Sequence, residues 1–247
     1  MRKHPPGRSK VTGHLVFDVK MDFTRKARWV LDGHNTPDFV GSTYAGVVSR
    51  DSVRIAFTYA AINGLDVFVA GIRNAYLKAP LSQKDSIICG EEFGLENVGK
   101  VALIHRAFYG GKKAGSNSRN HLRSCTRYLD FTSCLADPDV WTRPAKKTDS
   151  TSYYEDILLY TDEALVFSPH AEETLKELGR YFELKEESMG PPKIYLGGHC
   201  RKVQLENGVK AWDFSSLQYV QAAAKNVEEY VKDKENINIP GRAETPM

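Results

Sequence analysis

The chain has 247 residues, 41% of them hydrophobic and 26% charged, with a formal net charge of +3 at pH 7. These values are ordinary for a globular protein and exclude a strongly basic nucleic-acid-binding domain. No segment approaches the roughly 18 apolar residues of a membrane helix, and the basic start is not followed by the apolar run of a secretory signal. We therefore expect a soluble protein of the cytoplasm or nucleus, of unknown oligomeric state and with no membrane partner. The four cysteines have no metal-binding or redox spacing and are expected to be reduced and mostly buried.

The first predicted elements form a hairpin. Apolar residues predict strands at 14–21 and 27–31, joined through a basic tip. Residues 32–48 contain several glycines and a proline and predict an irregular connection. Ser49 then caps a helix that runs to Asn63 and ends at Gly64.

The middle of the chain alternates between strand and helix patterns. Residues 65–70 form an apolar run that predicts a strand in the middle of a sheet. Short strands are predicted at 86–89 and 101–104, followed by a helix at 116–129 whose apolar residues share one face. On its other face Arg119, Arg123 and Arg127 recur at a spacing of four. This stripe either binds a nucleic-acid backbone or is a solvated helix face.

The last third is dominated by hairpins. Two apolar arms within 157–167 meet at a turn, and an amphipathic helix is predicted at 171–182. A second hairpin is predicted at 193–213 around the strong turn signal Glu206-Asn207-Gly208, before a final helix at 215–231. Because hairpins outnumber regular βαβ units, the order of elements predicts an α+β fold.

Adjacent carboxylates stand at the tip of the first of these hairpins. Asp162 and Glu163 separate the apolar runs Ile157–Tyr160 and Ala164–Phe167. Two acids on a tight turn at the edge of a buried sheet can hold a divalent metal ion near a phosphate. In isolation, such a pair is more often a solvated turn.

Six segments in order resemble copia-type LTR-retrotransposon reverse transcriptases. The similarity spans residues 14–235 and is carried by segments 26–30, 66–80, 107–112, 137–141, 160–163 and 195–198. It implies a right-hand polymerase with fingers and an antiparallel palm sheet over 14–214, after a polar segment at 1–13. The start of a thumb and a tail would occupy 215–247.

The resemblance also implies a magnesium site. In the family, three aspartates on separate strands hold two magnesium ions for nucleotidyl transfer, so Gly71 and Asp162 are expected on neighbouring strands of the antiparallel palm sheet. Asp162 matches the first of the paired acids, Glu163 replaces the second, and Gly71 stands where the third belongs. Asp66 is a poor substitute because it lies five residues earlier, on the opposite face of the strand. We expect magnesium binding to be weak or lost and polymerisation to be impaired.

Further positions match the family's nucleotide-binding residues. Tyr76 would reject a 2′-hydroxyl, the cations Lys26 and Arg28 would contact triphosphate oxygens, and the glycines before Lys112 would allow close backbone approach to the nucleotide. This group consists of Lys26, Arg28, Tyr76, Gly110, Gly111 and Lys112. The alternatives are a half-buried tyrosine and solvated charges on an exposed hairpin.

The sequence therefore predicts a reverse transcriptase fragment with impaired RNA-directed DNA polymerase activity. Its expected partners are an RNA/DNA primer-template and deoxynucleoside triphosphates. Two alternatives stay open, a nucleic-acid-binding protein without catalysis and a transposon relic without function.

Overall fold

The structure is a computed structural model that describes residues 6–19, 23–36, 42–81 and 83–237. The strands are β1 Ser9–Lys10, β2 Gly13–Val19, β3 Arg25–Leu31, β4 Asp66–Gly71, β5 Asp85–Ile88, β6 Val101–Leu103, β7 Thr132–Ser133, β8 Val140–Lys146, β9 Ser152–Tyr160, β10 Glu163–Ser168, β11 Ile194–Tyr195, β12 Gly198–Gln204 and β13 Lys210–Ser215. The helices are α1 Arg50–Asn63, α2 Ala75–Lys78, α3 Ala114–Tyr128, α4 Ala171–Leu178 and α5 Leu217–Glu235. The fold is mixed α and β with mainly antiparallel sheets, as the order of elements predicted.

A five-stranded antiparallel sheet forms the centre, in the order β4-β10-β9-β8-β7. One face packs against α3 and α4 through side chains such as Leu122 and Leu175. The other face packs against α1 and the β11-β12-β13 sheet through Phe57 and Tyr195. Residues of β10 are buried on both faces, which explains why its sequence is a continuous apolar run instead of an alternating one.

A second region combines the β2-β3 hairpin with the small sheet β1-β5-β6. Trp29 of β3 joins them, because its ring makes edge contacts with Phe93 and Phe108 at 5.2 and 5.5 Å between centroids. The hairpin was predicted, although β3 begins at Arg25, two residues before the predicted start. The last two residues of the predicted first strand, 20 and 21, lie outside the described residues.

The ends of α1 lie where the sequence predicted them, whereas α4 ends earlier than predicted. Ser49 accepts a hydrogen bond from the Ser52 amide, and Gly64 ends α1 with φ 62°, as predicted. The α4 helix ends at Leu178 instead of Phe182, since Gly179 disfavours helix and the next amides bond three residues back. Phe182 is nevertheless buried in the core.

Several further predictions about this part of the fold are confirmed, although α3 begins at Ala114 instead of residue 116 and α5 spans Leu217–Glu235 instead of 215–231. All four cysteines are free, and Cys134 alone among them is partly exposed. The turn before β13 contains Gly208 with φ 78°. Asp66 lies at the end of β4 farthest from Gly71, where its carboxylate accepts from Lys202 Nζ at 2.9 Å. Within the described ranges, no helix is long and apolar enough to cross a membrane.

Candidate metal and nucleotide site

The paired acids lie at the tip of the β9-β10 hairpin. Tyr160 pairs with Glu163, so Thr161 and Asp162 form a two-residue turn. Thr161 has φ 52°, a left-handed conformation that β-branched residues rarely adopt. The turn places Asp162 at the edge of the central sheet, partly exposed to solvent.

Gly71 lies directly beside this tip. In the β4-β10 register Glu163 pairs with Gly71, and the Ile72 amide donates to the Asp162 carbonyl at 2.6 Å. Gly71 and Glu163 therefore lie on neighbouring antiparallel strands, as expected, and Asp162 lies in the turn that leads into β10. Since side chains directly opposite in a sheet share a face, a side chain at position 71 would lie beside Glu163.

An unpredicted residue, Lys185, reaches into this arrangement. Its backbone amide donates to the Gly71 carbonyl at 2.8 Å, so the segment after α4 runs along the outer edge of β4. Its ammonium group lies 3.2 Å from Asp162 Oδ2. The hydroxyl of Ser188, in the same segment, accepts from the Gly71 amide at 2.9 Å.

These residues do not fit a two-metal site. Position 71 offers no oxygen ligand, and an ammonium group already accompanies Asp162. Burial raises the pKa of the Glu163 carboxyl, and the negative charge of Asp162 adds to this effect while Lys185 opposes it. Across the described parts of the chain, no three His, Cys, Asp or Glu side chains are grouped as metal ligands. The Lys185 ammonium group and the Asp162 carboxylate therefore form an ion pair at the hairpin tip.

A cleft of about 610 Å³ opens beside the tip, between it and the β2-β3 hairpin. Two of the predicted nucleotide-binding residues, Lys26 and Arg28, line it together with Asp162 and Lys185. Its charged lining residues are Arg25, Lys26, Arg28, Arg73, Lys185, Asp162 and Glu187. With five cations against two anions, the cleft favours an anionic ligand.

Tyr76 borders a smaller neighbouring pocket of about 130 Å³, which Thr161 also lines. Its ring contacts that of Tyr109 edge-on, with 5.1 Å between centroids. The Arg28 guanidinium lies over the other ring of this pair, 5.3 Å from the Tyr109 centroid. Burial raises the pKa of the Tyr76 hydroxyl, and nearby Asp162 raises it further. Tyr76 is therefore close to the acids but is not a lining residue of the large cleft.

Gly110 and Lys112, two of the predicted nucleotide-binding residues, make close contacts within the protein. A Cβ at Gly110 would lie 2.1 Å from the Leu31 carbonyl oxygen, and Gly110 has φ 80°. The missing side chain thus permits the close approach of Gly110 to β3. Lys112 Nζ donates to a backbone carbonyl, that of Thr36, at 2.7 Å. These residues fix the base of the hairpin.

The arginine stripe on α3 is not a uniform solvated face. Arg119 forms a bidentate ion pair with Asp139, with 2.7 Å from Nη2 to Oδ2, and the Asp139 side chain is only 4% exposed. Arg123 and Arg127 lie over the buried Trp141 ring, each 5.6 Å from its centroid. Because Arg119 neutralises a buried acid, it is a structural residue, and Arg127 is the exposed member of the stripe.

Lys185, Ser188, Arg73 and Tyr109 were not predicted as site residues. Lys185 stands in the charged run Lys185-Glu186-Glu187, which by itself indicates a solvated loop. Arg73 follows β4 and pairs with Glu183 of the same edge segment at 3.1 Å. Comparisons with known proteins add no identification, since no protein-family model and no curated protein matches the chain.

Proposed function

We propose that this chain is the fingers and palm of a copia-like reverse transcriptase that binds primer-template and nucleotide without extending the primer. One observation carries the proposal: Asp162 and Glu163 lie at a hairpin tip directly beside Gly71, and Asp162 lines a cationic cleft. The three positions that the family uses for metal ligands are adjacent in space, although about 90 residues separate Gly71 from the acid pair in sequence. Two of the three carry acids, and the third has none.

The charges of the cleft support binding without catalysis. Arg25, Lys26 and Arg28 of the β2-β3 hairpin line the cleft together with Asp162, and their cations can neutralise phosphate oxygens there. Polymerisation, in contrast, needs carboxylates that hold two metal ions on both sides of the transferred phosphate. The cations that would contact phosphate are present, whereas one of the three carboxylates that would hold metal ions is missing.

Titration of a labelled RNA–DNA primer-template at several salt concentrations tests the binding. We expect weak, sequence-independent affinity with a log–log salt slope between about −2 and −4, since each neutralised phosphate contributes about −0.9. Lys26→Ala and Arg28→Ala should each reduce the slope by about one unit. Lys176→Ala is the matched control, because Lys176 lies on α4 and pairs with Glu172 at 2.7 Å.

Primer extension with magnesium on an RNA template tests the loss of catalysis. We expect none above background. Robust extension by the unmodified chain would refute the loss of catalysis, and absence of duplex binding at low salt by a folded sample would refute the binding role.

A further inference from the structure

The side chain of Lys185 occupies the space that a side chain at position 71 would need. An ideal Cβ built on Gly71 lies 3.0 Å from Lys185 Cδ and 3.2 Å from Lys185 Nζ. The backbone places Lys185 beside Gly71, because the Lys185 amide donates to the Gly71 carbonyl and the Ser188 hydroxyl accepts from the Gly71 amide. From there the Lys185 side chain reaches both the space beside Gly71 and the Asp162 carboxylate.

The ammonium group also neutralises the acidic tip. Lys185 Nζ lies 3.2 Å from Asp162 Oδ2. The charge of Lys185 also reaches the partly buried Glu163. A single positive group thus stands between Asp162 and the vacant side-chain position at residue 71.

A divalent ion and this ammonium group compete for the Asp162 carboxylate. Both are positively charged and repel each other at short distance, although solvent weakens the repulsion because Lys185 and Asp162 are partly exposed. Magnesium and manganese also require several oxygen ligands, whereas an ammonium group offers only donors.

We propose that the Lys185 ammonium group occupies the position of a divalent cation between Asp162 and residue 71, so that the site contains its own cation. The identity of that position rests on the proposed function, whereas the contacts of Lys185 do not depend on it. Restoring an acid at position 71 alone would then create a second ion pair with Lys185 instead of a metal site.

Binding of Mn²⁺ to the full chain, followed by the electron paramagnetic resonance signal of the free ion, tests the proposal. The proteins are the unmodified chain, Gly71→Asp, Gly71→Asp/Lys185→Met and the control Gly71→Asp/Lys176→Met. We expect Gly71→Asp/Lys185→Met to bind one Mn²⁺ at least about tenfold more tightly than Gly71→Asp, a difference of about 1.4 kcal/mol. The control should match Gly71→Asp, because Lys176 pairs with Glu172 on α4.

Two results would overturn the proposal. Equal Mn²⁺ affinity of Gly71→Asp and Gly71→Asp/Lys185→Met would mean that Lys185 does not hold the cation position. No Mn²⁺ binding by a folded Gly71→Asp/Lys185→Met protein would mean that the position is not a cation site. Circular dichroism checks folding, and Lys185→Gln replaces Lys185→Met if the latter does not fold. The duplex titration needs no metal ion, so failure of the proposed function would be seen separately.

Discussion

Replacement of Arg119 by methionine tests whether the α3 stripe is structural. The Arg119 guanidinium holds both carboxylate oxygens of Asp139, at 3.0 Å from Nε and 2.7 Å from Nη2. The Asp139 side chain is 4% exposed and the Arg119 side chain 18%. Removing one partner leaves a buried charge without compensation, which typically costs about 3–5 kcal/mol. For a chain of this size, that loss corresponds to a fall in Tm of about 6–20 °C, at about 2–4 °C per kcal/mol.

Urea and thermal unfolding followed by circular dichroism measure this effect. Arg127→Met is the matched control, since Arg127 is exposed and lies over the Trp141 ring, a contact that contributes about 0.5–1 kcal/mol. Replacing both partners, Arg119→Met/Asp139→Leu, should recover most of the loss, because no charge is then left buried. A loss for Arg119→Met no larger than that for Arg127→Met would refute the structural role and return Arg119 to the candidate nucleic-acid contacts.

Three further predictions concern the hairpin base, the partly buried Asp156 and the cleft. Gly110→Ala should lose about 3 kcal/mol or more in urea unfolding, because its Cβ would lie 2.1 Å from a backbone oxygen of β3. Gly99→Ala is the control, because Gly99 has φ 76° but no atom lies within 4 Å of the added Cβ; it should lose only about 1–2 kcal/mol. Equal losses for the two variants would contradict the packing of Gly110 against β3. Burial and then the Glu155 charge raise the pKa of Asp156 from 3.8 to about 7. The unmodified chain should therefore lose stability as pH rises from about 4 to 7, whereas Asp156→Asn should not. The difference in the free energy of unfolding between the two proteins should reach about 2–4 kcal/mol and stay constant above pH 7. A difference that does not change with pH would contradict the raised pKa of Asp156. Calorimetry should show that tripolyphosphate binds in the cleft without magnesium. Lys26→Ala and Arg28→Ala should each weaken this binding about tenfold, a loss of about 1.4 kcal/mol. A requirement for magnesium would contradict the proposal that Lys185 supplies the cation.

Local sequence signals predicted the elements well. The Ser49 cap and the Gly64 stop define α1 because both act within one helical turn. The β9-β10 hairpin follows from two apolar runs around a short polar turn. The proximity of Gly71 to that turn was predicted through the resemblance, not from spacing.

The sequence pattern did not predict which distant residues Arg119 and Lys185 contact. Helical spacing places Arg119 on a polar face, but its partner Asp139 enters from a loop 20 residues later and removes it from solvent. Lys185 belongs to a charged run that indicates a solvated loop, yet pairing of that segment with β4 turns its side chain onto Asp162. In both cases the local pattern gave the secondary structure, and a contact distant in sequence determined the role of the side chain.

The conformation of Thr161 explains what sets the direction of the neighbouring Asp162. A left-handed β-branched residue costs about 1–3 kcal/mol and persists only where surrounding structure imposes it. At φ 52°, Thr161 is held by the two strands that it joins and not by its own preference. The direction of Asp162 is consequently a property of the scaffold and outlasts changes in the chemistry around it. An exchange of a neighbouring side chain, such as the one at position 71, therefore leaves this carboxylate directed at the same point in space.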